Sequence, residues 1–212
     1  KKTNGPRRAA VSLAIVKSRA QLGTDAPLVT IEIFLSGGLP SFSIVGMAET
    51  AVRESKDRVR SAILNSHFQF PDRRITVNLA PADLPKEGGR FDLPIAIAIL
   101  ATTGDLPRAV LNGRILIGEL SLEGRLQPVR GVLPIVLAAR ARGLDEVVVP
   151  AANRAEAEVV PGIDVVGAAT LAEVVRYLRD GTRPEERPFA GADPRSVAAA
   201  CFDLSDVVGQ EQ

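Results

Sequence analysis

The stretch VNLAPADLPKEGGRFDLP, Val77 to Pro94, joins two periodicities across one Gly-rich turn. On its amino-terminal side Ile75, Val77 and Leu79 alternate with polar residues, the period of a strand that lays one face on a core. On its carboxy-terminal side Phe91 to Thr102 is almost wholly apolar, which predicts a helix buried between layers. A strand that feeds a buried helix points to α/β architecture.

Working towards the amino terminus, Ala48 to Asn65 has helical period. Val52, Val59 and Ile63, with the small Ala48, Ser55 and Ala62, form one stripe that faces a sheet. Glu49/Arg53, Arg53/Asp57 and Glu54/Arg58 stand at i,i+4 and support an exposed opposite face. Before this helix, Val11 to Val45 reads as strands. Val29, Ile31, Ile33 and Leu35 alternate, Ser36 to Pro40 makes a turn, and Ser41 to Val45 is expected to return beside the strand it leaves, so that the fold opens with a β-hairpin in a meander. Towards the carboxy terminus, Ile115 to Leu122 reads as one strand ending in a turn at Glu123-Gly124. Gly131 to Arg142 reads as a helix, Glu146 to Val149 as a strand and Ala151 to Val159 as a short helix. Thr170-Leu-Ala-Glu173 is a capping box, and Leu171, Val174, Val175 and Leu178 continue its helix until Gly181 stops it. Thr182 to Ala200 loses all periodicity and reads as a linker. The elements together predict a two-layer α/β fold with a mixed sheet, without internal repeats.

With 46% apolar residues in 212, the chain can bury a core, and no run of about 18 uncharged apolar residues suggests a membrane span. A cytoplasmic location without a membrane partner is expected. The net charge of +1 gives no global field towards nucleic acid, so such contact has to come from a local patch. Cys201 and His67, one of each, cannot form a disulfide or the usual four-ligand zinc site, and no metal site is expected. His67, between the apolar helix and Phe68 and Phe70, reads as structural. Neither G-x-G-x-x-G nor G-x-x-x-x-G-K-[ST] occurs, so no nucleotide phosphate cradle is encoded in these residues. Glu87 and Asp92 flank the Gly-rich turn, with Lys86 and Arg90 as expected ion-pair partners.

Four stretches carry a resemblance: SLAIVKSR (Ser12 to Arg19), GLPSFSIVG (Gly38 to Gly46), AVRESKDRVRSAI (Ala51 to Ile63) and LPKEGGRFDLPIAIAIL (Leu84 to Leu100). They resemble the YifB/ComM family of Mg-chelatase-related AAA+ ATPases, and the resemblance runs from about Ser12 to Gly181. It implies an amino-terminal Lon-protease-like (ChlI-type) domain over residues 11–181, with residues 1–10 upstream of it. Residues 182–212 are then a linker and the start of an AAA+ module, since Asp203 to Gln210, DLSDVVGQ, resembles the lead-in to one, and the sequence stops before the expected phosphate loop. ATP and Mg are expected for that module alone. A Lon-type enzyme needs a Ser nucleophile at the start of the buried helix and a Lys on the next to take its proton. Leu84 to Leu100 holds no Ser, and Arg90 to Asp92 stand where it would be. Gly118 to Gly131 keeps the Lon-like scaffold, Leu133 or Pro134 falls at the Lys position, and no Lys follows Lys86, so a non-proteolytic domain without catalytic residues is expected.

For the whole protein the resemblance implies a homo-hexameric ATPase acting on DNA, a branch-migration helicase of the kind used in natural transformation. The DNA-contact candidates are Arg53, Lys56 and Arg60 on one helix stripe, joined by Arg73, Arg74 and Arg90 if the loops fold beside it, with Glu49, Glu54 and Asp57 opposing them. Two other readings stand beside this one: an oligomerisation or protein-binding adaptor without DNA contact, and a Mg-chelatase-like motor subunit.

Overall fold

The computed structural model describes residues 12–46 and 48–185. The upstream residues, Cys201, the Asp203–Gln210 lead-in and most of the expected linker lie outside the described residues. A four-stranded mixed sheet opens the fold. Strand β1 (Ser12–Arg19) and β2 (Leu28–Ser36) pair antiparallel as a hairpin, with Ser12 opposite Leu35 and Arg19 opposite Leu28. Strands β3 (Ser41–Val45) and β4 (Arg74–Ala80) complete it in the order β1-β2-β4-β3. Val29, Ile31, Ile33 and Leu35 of β2 and Ile75, Val77 and Leu79 of β4 all face inwards, as their alternation requires.

The expected return of Ser41 to Val45 beside β2 is corrected. β4 takes that edge antiparallel, and β3 lies on the far side of β4, parallel to it. A parallel neighbour needs a crossover, and the helical run after β3 provides it. That run is broken into α1 (Thr50–Arg53) and α2 (Ser55–Asn65), which bury Val52, Ser55, Val59, Ala62 and Ile63. Helix α3 (Asp92–Thr103) follows a 3-10 turn at Gly89–Phe91 and packs against β1 and β2, with every residue from Asp92 to Ala101 buried.

The expected single strand over Ile115 to Leu122 is also corrected, because it splits. Its first part, β5 (Arg114–Leu116), joins β8 (Glu146–Pro150) and β9 (Asp164–Ala168) in a second, wholly parallel sheet of order β5-β8-β9. Its second part, β6 (Glu119–Leu120), pairs with β7 (Leu126–Gln127). Gly118 makes the break. Its N–H donates to the Arg90 carbonyl and its carbonyl accepts the Leu93 N–H, both at 3.0 Å, so the backbone leaves the sheet to satisfy the start of α3.

Helices α4 (Val132–Ala141), α5 (Arg154–Glu158) and α6 (Leu171–Asp180) complete the described fold. All five residues of β8 are buried, because this sheet separates two cores. Leu116, Val148 and Val166 face the core built on α3 and the mixed sheet. Ile115, Val147, Val149 and Val165 face a smaller one under α4 and α5. No helix among the described residues is long and apolar enough to cross a membrane.

Candidate nucleic-acid interface

Helix α2 ends at Ser66, and the chain reverses at His67, whose φ of 64° places it in the left-handed region. His67 is exposed at that reversal and takes no part in a cluster of possible metal ligands; among the described residues there is none. The reversal returns Phe68 and Phe70 to the edge of the larger core, beside Phe42 of β3. The Phe42 and Phe70 rings lie 6.0 Å apart at 35°. The Arg60 guanidinium carbon sits 5.2 Å from the Phe70 centroid, in cation–π contact. These side chains line an open groove of about 320 Å³, with Pro40, Ser41, Leu64, Pro71, Asp72 and Arg73 around them.

Of the six cationic candidates, Arg60 and Arg73 line this groove together. Arg74 begins β4 opposite Ser41, with its guanidinium beside Gly38, so it borders the same end. Arg53 and Lys56 are exposed earlier on the same helical run, and Arg53 Nε donates to the Ala48 carbonyl at 3.1 Å. Arg90 does not join them. It is half-buried in the 3-10 turn before α3, donates at 3.2 Å to Oε1 of Gln21 in the β1–β2 connection, and burial pushes its pKa down while Glu87 pulls it back up. The aromatic floor is what the charges alone do not reveal. Its signal in the sequence is Phe42 in the strand before the helix and Phe70 after it, in a chain only 4% aromatic.

Arg58 departs from its expected exposed pair with Glu54. It turns inwards to Asp92, with Nε–Oδ2 at 2.7 Å and Nη2–Oδ1 at 3.1 Å. The partners expected for Asp92 are therefore wrong as well. Lys86 is fully buried and donates to the Pro81 carbonyl, and burial lowers its pKa while Asp83 raises it. Burial raises the Asp92 pKa above the usual carboxylate range, and Arg58 and the Leu120 N–H, at 3.2 Å, pull it back only in part. The hydrogen bond to Asp92 raises the pKa of Arg58 in turn.

Of the residues expected to stand where a Lon-type dyad would be, Arg90 and Phe91 close the 3-10 turn, Asp92 begins α3, and Leu133 and Pro134 lie in the first turn of α4. Gln21 lies between the two helix starts, bonded to Arg90 and pressed against the Cβ-free face of Gly131. The Gly88-Gly89 turn before α3 is the glycine pair that could approach a phosphate, but the Glu119 carboxylate fills the space over Gly89. An acid at that point does not fit the phosphates of ATP.

The family model for subunit ChlI of Mg-chelatase matches residues 31–153, more than half of the chain. The competence protein ComM of Haemophilus influenzae is 47% identical over 206 residues, covering 95% of this chain and 40% of that protein. The uncharacterised protein YifB of Escherichia coli is 45% identical over 204 residues, covering 95% and 39%. Lon protease 2 of Bacillus subtilis is 25% identical over 195 residues, covering 84% and 35%. The chain thus spans about two fifths of the length of the ComM and YifB relatives it matches. On the family model and these near-complete matches, the chain belongs to the YifB/ComM family of Mg-chelatase ChlI-related proteins.

Proposed function

We propose that residues 11–181 are a non-proteolytic amino-terminal domain of a cytoplasmic, homo-hexameric AAA+ ATPase that acts on DNA as a branch-migration helicase, and that residues 182–212 lead into its motor. ATP and Mg belong to that motor. What supports a DNA role for the domain is one juxtaposition: Arg60 and Arg73 line the same aromatic groove, and Arg74 borders it. Cations beside half-buried rings that line an open groove suit a sugar–phosphate strand. The absence of Ser from Leu84 to Leu100, and of Lys after Lys86, supports the lack of a protease dyad. The test is fluorescence anisotropy of labelled DNA with this chain at low and moderate salt, beside Arg60→Ala/Arg73→Ala. Salt-sensitive binding lost in the variant is expected. Absence of binding at low salt would sink the role.

A second reading, an oligomerisation or adaptor domain, is favoured by the outer face of the mixed sheet. Leu13 (45% exposed) stands opposite Phe34 (40%), with Ile15 (46%) next to them. An apolar strip of this kind is what a protein partner covers. Sizing of the chain without DNA, with Ile15→Lys as the control, separates the readings: self-association lost in that variant favours the adaptor.

A further inference from the structure

From the shape of the groove we infer that it holds an unpaired nucleotide, with the base against the Phe42/Phe70 floor and the phosphate on Arg60 and Arg73, so that the domain binds single-stranded DNA in preference to duplex. The inference rests on the DNA reading above and names the substrate of that site. At about 320 Å³ the groove lies at the lower end of the roughly 300–1,000 Å³ of ligand pockets, room for one base and not for a paired step. Its floor is two tilted rings 6.0 Å apart. A base inside a duplex has both faces covered by its neighbours, and bringing it out costs unpairing and unstacking, whereas a single strand offers its faces freely.

Arg60 is exposed and already rests on the Phe70 ring, so a guanidinium-to-ring contact of the kind a base would replace or extend is built in. Phosphate attracts Arg60 to the rim as the base arrives. The other lining polar groups are Ser41 and Asp72, too few to read the edges of four different bases. The site is therefore tolerant of sequence.

The experiment uses the 212-residue chain at low salt with a labelled oligo-dT strand and a hairpin duplex of equal length. The single strand should bind about tenfold more tightly, and Phe70→Leu should remove most of that preference. Circular dichroism of Phe70→Leu establishes that the fold is retained. The chain has no tryptophan, so Phe70→Trp provides a single reporter, expected to be quenched by oligo-dT and not by the hairpin. Equal affinity for both DNAs, or an unquenched Trp with oligo-dT bound, overturns the inference and leaves the DNA reading standing. Binding of neither DNA overturns both.

Discussion

Arg58 and Asp92 meet with opposite charges where three helices and a strand converge, and removing either partner strands the other. The guanidinium also donates from Nη2 to the Ala51 carbonyl at 3.0 Å, so it joins α1, α2 and the start of α3. Asp92 is fully buried. Arg58→Met should therefore cost about 3–5 kcal/mol, the range for breaking a buried pair. Arg58→Met/Asp92→Leu should recover most of it, because neither charge is then left without its partner. Loss of Arg58 also removes the strongest of the contacts that offset burial at Asp92, so its pKa rises further. An acid with a raised folded-state pKa contributes stability at low pH and loses it as pH rises through that pKa. The deficit of Arg58→Met should therefore be smaller in acid than at neutral pH, as urea unfolding at the two pH values will reveal. Tyr177 gives a second residue-scale expectation. Its hydroxyl donates to Glu146 Oε2 at 2.5 Å, and burial first, then this carboxylate, pushes its pKa from 10.0 up to about 12. The stability it contributes is present below pH 10.0 and lost as pH rises towards about 12. It is the one tyrosine in the chain, so phenolate absorbance reports it alone. The midpoint should lie near 12 in the folded protein and fall in Glu146→Gln.

Helix α6 has its boundaries written in its own residues. Thr170 Oγ1 accepts the Glu173 N–H at 3.2 Å, Glu173 Oε2 accepts the Ala169 N–H at 2.7 Å, and Gly181, at φ 75°, ends the helix. Thr170→Ala should cost about 1 kcal/mol and Thr170→Ser far less, as thermal unfolding can measure. β2 and β4 are legible because the alternation of each expresses a face that its own residues bury, and α3 because its nearly unbroken apolar run suits a helix buried on every side. The misplaced elements depend on partners distant in sequence. Nothing in Ser41 to Val45 says that β4 will compete for the edge of β2. Ile115 to Leu122 has the apolar content of one strand, and only the carbonyl of Arg90 and the N–H of Leu93 divide it at Gly118. β9 is not legible in the sequence because Val165 and Val166 are its only large apolar residues, too few to show a period. The groove was legible in half. Arg60 stands out as a charge on a helix, whereas its contact with Phe70 requires the chain to reverse at His67.

At the scale of the whole molecule, a net charge of +1 leaves the groove without long-range help. Asp72 lies among its lining residues and offsets part of the local charge. The number of phosphates held should therefore be small, two if Arg60 and Arg73 share one and Arg74 takes another, three if each takes its own. A single strand releases counterions with a slope of about 0.7 per phosphate contact, which predicts a log–log salt slope between about −1.4 and −2.1. Arg73→Ala or Arg74→Ala should each reduce its magnitude by about 0.7, and Arg90→Ala should leave it unchanged, because Arg90 is bonded to Gln21 outside the groove. A slope several times steeper would mean that a wider basic surface carries the binding. In the six-membered ring proposed above, contacts this few per subunit would add through a shared strand, since linked weak sites raise avidity without any new contact. Weak, salt-sensitive binding by the isolated chain and much tighter binding by an assembled ring is the combination this surface predicts. Titration of one oligo-dT against both forms measures it, and equal affinities for the two would place the main DNA contact outside this groove.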